Sequence, residues 1–281
     1  MRIPLFLELF ISRRARNKLI ERLFVNPRLI RNSDYILVSF PKSGRTWVRA
    51  MLTRLYHVRF GTPDNILIRF DNLHKLDERV PVIFFTHDGD KLASVENLIP
   101  DKSGYNGKNV VVLARHPGDV ITSLYYHQKH RRAHRRDNIT RDLDLFSFAT
   151  RPGYGIHTAI AFLNHWAAFA KSNPRILIVR YEDLLKEPVI GLKRITDHFG
   201  GDFTAEELQD AVDFGKFENL KRLEKERYFA DTHLQASDNA DPQSFKVRSG
   251  QSGGYKQQFT HAQLKEIDEA TRQGLDPSLG Y

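Results

Sequence analysis

Residues 36–52 read ILVSFPKSGRTWVRAML. An apolar run ends at Phe40, the turn-forming Pro-Lys-Ser-Gly follows, and a helical pattern then resumes. A strand that turns through glycine into a helix is the layout of an anion-binding loop. The first helical N–H groups have no partner inside the helix and carry partial positive charge. Gly44 lets the backbone approach a ligand closely, Lys42 adds a compact cation, and Ser43 and Thr46 add hydroxyls. The GxxxxGK[ST] spacing of nucleoside triphosphatases is absent. The plainer alternative is a strand–helix turn with a capping serine.

Outward from this stretch, short and almost continuously apolar runs recur at 35–40, 82–86, 110–114 and 176–180. Runs of this kind suit strands buried on both faces. Helical patterns alternate with them at 46–57, 119–132, 157–171 and 189–199, with two more at 205–214 and 261–274. Alternation of this kind predicts an α/β fold: a P-loop-like three-layer α/β/α sandwich with a central, mainly parallel sheet. No repeat, low-complexity tract or linker divides the chain, so one domain over 1–281 is expected. The polar, Gly/Ser/Asp-rich stretch 228–254 is a candidate lid.

The chain has 43 basic and 34 acidic residues and a formal charge of +9, which points to an anionic partner without choosing one. It has no cysteine, which excludes disulfides, thiolate zinc sites and cysteine nucleophiles, and makes a reducing cytoplasm the simplest home. No apolar stretch approaches the roughly 18 residues of a membrane span. Segment 1–33 reads as a basic amphipathic helical piece, either packed on the domain or in peripheral contact with a membrane or partner.

A second stretch, VVVLARHPGDVITSLYYH at 110–127, repeats the strand–turn–helix layout. Arg115 emerges at the strand end, Asp119 is the expected N-cap, and Ser123 lies one turn into the helix. In an open α/β sheet, ligands bind beyond the carboxyl ends of the strands.

PKSGRTW followed about seventy residues later by RHPGDVITS resembles the sulfotransferases that use 3′-phosphoadenosine 5′-phosphosulfate (PAPS). IVRYEDLLKEP at 178–188, FGKFENL at 214–220 and VRSGQSGGYKQQFT at 247–260 resemble further segments of that family, in the family's order. The resemblance implies a PAPS-dependent sulfotransferase with residue roles as follows. Lys42 faces the oxygen bridging phosphate and sulfate. Ser43, Gly44, Arg45 and Thr46 cradle the 5′-phosphate, and Trp47 stacks on adenine. Arg115 and Ser123 hold the 3′-phosphate, helped by Arg248, Ser249 and Gly250, and Tyr181 and Phe217 line the adenine. His87, closing the run PVIFFTH, corresponds to the family's catalytic base, and Asp88 is the neighbouring alternative. With Lys42 and Ser123, His87 makes up the implied catalytic set.

The sequence departs from the family at four places. Arg45 replaces a small residue, bringing charge either to the phosphosulfate or to solvent. Ser249 stands for a lysine, Gly215 for a hydroxyl residue, and Gly254-Tyr255 for Asp-Trp.

A sulfuryl group in flight carries less negative charge than a phosphoryl group, so Lys, Arg and N–H donors suffice and no metal is expected. The alternatives are a nucleotide kinase of similar fold and a basic nucleic-acid binder, although no nucleic-acid module is present and no nucleic-acid partner is expected. The acceptor is a hydroxyl, or an amine, on a small alcohol or phenol, a carbohydrate or a lipid. The run HRRAHRRD at 130–137 is either a solvated helix end or a steering surface for an anionic acceptor. Phe146, Phe148 and Tyr154 are candidate acceptor-pocket residues, whereas Trp166 reads as core.

Overall fold

The computed structural model describes residues 26–89, 94–131, 140, 142–230 and 250–281. Four strands, β1 (Tyr35–Ser39), β2 (Ile83–Thr86), β3 (Asn109–Ala114) and β4 (Ile176–Arg180), form one sheet in the order β2-β1-β3-β4. All three pairings are parallel. The chain leaves β1 for β2 on one side and returns to β3 on the other, so the carboxyl ends of β1 and β3 flank a topological switch point.

Burial on both faces explains the apolar runs. Ile36 and Val38 point into one core and Leu37 into the other, and Val110, Val112 and Ala114 alternate with Val111 and Leu113 in the same way. On the first face lie α3 (Pro117–Tyr126), α5 (Gly155–Ser172) and α10 (His261–Gly274), which contribute Ile121, Trp166 and Ile267. On the second lie α2 (Arg45–Phe60), α7 (Pro188–His198) and α8 (Ala205–Phe214), with Met51, Leu55, Ile195 and Ala211. The result is the three-layer sandwich expected from the sequence.

Short helices fill the connections: α1 (Asn26–Arg31), α4 (Leu145–Thr150), α6 (Tyr181–Lys186) and α9 (Phe217–Lys225). The last three of these were not expected. α4 begins at Asp144, whose side chain caps Ser147 N–H. α6 starts directly at the end of β4, with no turn residue to announce it. α9 is mostly charged and buries only Leu220, Leu223 and Glu224.

The helix after β3 also differs from expectation. It runs only to Tyr126 and passes into a π-helical turn, His127–Arg131. His116, not Asp119, is its N-cap, accepting from Gly118 N–H with Pro117 in the first turn. Asp119 is buried and serves the returning chain instead: its carboxylate accepts from Gly253 N–H at 2.7 Å and Tyr255 N–H at 3.1 Å. Gly118 has no room for a side chain, because a Cβ there would come within 2.6 Å of the Tyr255 ring. That ring stacks on His116, with centroids 4.6 Å apart, and its hydroxyl donates to Asp268. The substitution of Asp-Trp by Gly254-Tyr255 thus keeps an aromatic anchor for residues 250–255 on the first turn of α3. Most of the proposed lid, and Arg248 and Ser249 with it, lies outside the described residues, as do residues 1–25 of segment 1–33 and 132–137 of the run at 130–137.

Candidate active site

The anion-binding loop runs from the end of β1 to the first turn of α2. Lys42 and Gly44 both adopt positive φ, 73° and 94°, so the chain makes two left-handed steps before the helix starts. Gly44 is required twice over. Its φ disfavours any side chain, and a Cβ would meet the Tyr181 ring at 2.6 Å. Tyr181 is buried beneath the loop rather than open to solvent. Its ring meets Trp47 edge-on at 5.6 Å, and the Arg115 guanidinium lies over it at 4.3 Å from the centroid.

Arg115 ties the two strand ends together. Its Nη1 donates to the Lys42 carbonyl at 3.1 Å and its Nη2 to the Gln251 carbonyl at 2.8 Å. The loop after β1, the end of β3 and the returning 250s therefore meet around one guanidinium. Ser123 lies half-buried nearly two turns into α3, because the helix starts at Pro117 rather than after Asp119. On the other side, Phe217 begins α9, and Gly250 packs so close that a Cβ would meet its ring at 2.6 Å. Gly215, where the family often has a hydroxyl residue, faces Met51 and Trp47: a Cβ would come within 2.6 Å of Met51 Cγ and 3.1 Å of Trp47 Nε1. Packing thus accounts for that departure.

His87 follows β2. The parallel register pairs Val38 with Thr86, which sets His87 level with Ser39. His87 Nδ1 lies 2.8 Å from the Ser39 carbonyl, and its Nε2 lies 2.7 Å from Arg45 Nη2. A carbonyl only accepts and a guanidinium only donates. Nδ1 therefore carries the proton and Nε2 presents its lone pair, the tautomer that a base acting through Nε2 requires. Arg45 is turned inward onto this ring, not out to solvent.

Asp88 is placed differently. Its carboxylate accepts from Tyr105 Oη at 2.8 Å and Trp166 Nε1 at 3.1 Å, and pairs with the buried Lys102 ammonium at 2.7 Å. These three donors hold the half-buried Asp88 side chain in place just past the end of β2. Trp166 is fully buried, as expected, and Phe148 also belongs to the core rather than to a pocket. Phe146 packs edge-on against Phe259, and Tyr154 lies under the Arg151 guanidinium.

Several buried polar atoms around the loop lack a hydrogen-bond partner among the described residues: Ser39 Oγ, Ser43 Oγ, Arg45 Nη1 and Arg115 Nε. Polar atoms are buried unpaired at a cost. Their concentration beside an N-terminal helix turn, with a glycine that keeps the loop open, fits a polyanionic ligand such as the phosphosulfate and 3′-phosphate of PAPS. Sequence reasoning missed the Arg45–His87 contact, because it spans 42 residues and depends on strand register.

A parallel sheet sandwiched by helices, with a cationic loop at the switch point, defines a P-loop-like α/β protein of the nucleotide-binding class. Residues 32–278 match the sulfotransferase domain, and the chain belongs to that family: it is a PAPS-dependent sulfotransferase. Cytosolic sulfotransferase 13 of Arabidopsis thaliana is 28% identical over 266 residues, covering 87% of this chain and 78% of that one. Flavonol 3-sulfotransferase of Flaveria bidentis is 25% identical over 268 residues, covering 88% and 82%. Among solved structures, the mouse sulfotransferase SULT7A1 complexed with PAP superposes with a TM-score of 0.59 at 19% identity, covering 90% of each chain. At that identity the likeness bears on the fold alone.

Proposed function

We propose that His87 is the base and Lys42 the leaving-group cation in sulfuryl transfer from PAPS to a hydroxyl on a small organic acceptor. The contact that carries this reading is His87 Nδ1 on the Ser39 carbonyl, which leaves Nε2 as the proton-accepting nitrogen at the strand outlet beside the anion loop. His87 Nε2 takes the acceptor's hydroxyl proton as the new oxygen–sulfur bond forms. The bond between sulfur and the 5′-phosphate oxygen breaks, and Lys42 offsets the charge that gathers on that oxygen. Adenosine 3′,5′-bisphosphate and the sulfated acceptor leave. Asp88 is unsuited to the base role, because its oxygens already accept from Tyr105 and Trp166 and pair with Lys102.

Ser43, Gly44, Arg45 and Thr46 would hold the 5′-phosphate through first-turn N–H groups and hydroxyls. Arg115 and Ser123 would hold the 3′-phosphate, and Trp47 and Phe217 would flank the adenine. Tyr181 supports the loop and the Arg115 guanidinium from below. With Lys42, Arg45 and Arg115 at the site, charge compensation does not require a metal ion.

For the acceptor, a small hydroxyl compound is favoured by the likeness to the flavonol enzyme of Flaveria bidentis. A carbohydrate or lipid acceptor drew its sequence support from the run at 130–137 and the first 33 residues, which lie largely outside the described residues. No described helix is long and apolar enough to cross a membrane, and a cytoplasmic setting accords with the lack of cysteine and with the cytosolic relatives.

The test is transfer of labelled sulfate from PAPS to a panel of phenols, alcohols, sugars and lipids, with and without a chelator. Transfer to a phenol or alcohol, undiminished by chelation, is the expected result. Transfer that chelation abolishes, or phosphoryl transfer from ATP with magnesium in its place, would contradict the reading.

A further inference from the structure

In this structure the lone pair of His87 Nε2 is already engaged. Arg45 Nη2 donates to it at 2.7 Å, while Nδ1 is committed to the Ser39 carbonyl. An acceptor hydroxyl needs the same Nε2 to give up its proton, so Arg45 and the acceptor compete for one atom.

Arg45 is an uncomfortable partner for a neutral imidazole. Its guanidinium is buried, which with the neighbouring charge of Arg49 lowers its pKa to about 9. Its Nη1 is shielded from solvent and has no hydrogen-bond partner among the described residues. A buried cation with an idle N–H is costly until an anion completes it. The position of Arg45 indicates which anion. It is the first residue of α2, directly after the loop, and its guanidinium reaches across to the base. In-line transfer carries the sulfur from a leaving oxygen at the loop to an acceptor oxygen at His87. Arg45 spans that path, and a planar fork of N–H donors suits the non-bridging oxygens of a sulfonate.

We propose that Arg45 is a positioning residue that binds the non-bridging sulfuryl oxygens of PAPS and in doing so releases His87 Nε2 to the acceptor, so that the base is unmasked only when the donor carries its sulfuryl group. Adenosine 3′,5′-bisphosphate, which lacks that group, leaves Arg45 on His87. The unmasking step rests on the reading of His87 as the base, whereas recognition of the sulfuryl oxygens does not.

The test measures dissociation constants of PAPS and adenosine 3′,5′-bisphosphate by calorimetry, without acceptor, for the parent protein, Arg45→Met and Arg45→Lys. Arg45→Met is expected to weaken PAPS about 10- to 100-fold, the scale of a charge-assisted hydrogen bond, and the bisphosphate less than about threefold, with Arg45→Lys recovering part of the loss. Equal weakening of both ligands would mean that Arg45 only shapes the loop, and unchanged PAPS binding would mean that it touches no sulfuryl oxygen. Either result overturns the proposal.

A second measurement uses the parent protein and needs no variant to fold. The ¹⁵N resonance of His87 Nε2 is expected to move when PAPS is added and to stay in place with the bisphosphate, and an equal response to both overturns the exchange. A parent protein that binds neither nucleotide would overturn the site itself. A His87→Ala variant with full turnover would remove the base role and the unmasking step, yet leave the contrast between the two nucleotides as a separate result.

Discussion

Replacing His87 with alanine is expected to lower kcat by about 10²- to 10⁴-fold, the usual contribution of a positioned general base. The dissociation constant for adenosine 3′,5′-bisphosphate should stay within about twofold, because the proposed phosphate contacts come from the loop after β1 and from the β3–α3 turn. The imidazole lies level with Ser39 at the next strand outlet, where it is held through Nδ1. His87→Gln is the sharper variant: its amide oxygen still offers Arg45 an acceptor, yet it cannot take a proton at neutral pH. A fall in both variants to a similar level separates loss of the base from disturbance of Arg45. Steady-state kinetics with calorimetry would read both quantities. A His87→Ala enzyme with kcat within a few-fold of the parent would reject the assignment.

Replacing Lys42 with alanine is expected to damage both turnover and binding. Loss of a charge aimed at the leaving oxygen should lower kcat by about 10²- to 10³-fold, as removal of one oxyanion donor does. Loss of a charge-assisted contact should weaken bisphosphate binding by about tenfold or more. Backbone strain does not confound the comparison. Lys42 sits at φ 73°, and alanine carries the same Cβ as lysine, so the backbone penalty is common to both. Denaturant midpoints of the two proteins should therefore agree closely while their kinetics diverge. A Lys42→Ala enzyme that binds the bisphosphate as the parent does, and turns over at a similar rate, would remove Lys42 from the mechanism.

The sheet was legible because its strands are buried on both faces. Ile36, Leu37 and Val38 are all apolar although they point alternately into two cores. A strand with one wet face would have broken that run with a polar residue at every second position. The helices from Ala205 to Phe214 and from His261 to Gly274 were legible to the residue, since Thr204 and Thr260 open them with capping boxes. α9 was not, because its sequence FENLKRLEK carries few apolar residues and is held by packing of Leu220 and Leu223 near Phe229.

At the site, the loop itself declared its chemistry through residues adjacent in sequence. Contacts made over long separations did not. Asp119 looked like a cap because aspartate is a favoured N-cap residue, yet the N–H groups that its carboxylate accepts from are 134 and 136 residues away. Arg45 could be read as facing either the ligand or solvent until the β1–β2 register brought His87 beside it. Asp88 was a fair second choice as base until Tyr105, Lys102 and Trp166 were seen to surround it.

The most direct measurement is a crystal structure of the protein with adenosine 3′,5′-bisphosphate. The 5′-phosphate is expected on the N–H groups of the Ser43–Thr46 turn and the 3′-phosphate on Arg115 and Ser123, each at about 3 Å. A nucleotide bound away from that turn, or one whose 3′-phosphate leaves Arg115 untouched, would contradict the proposed site.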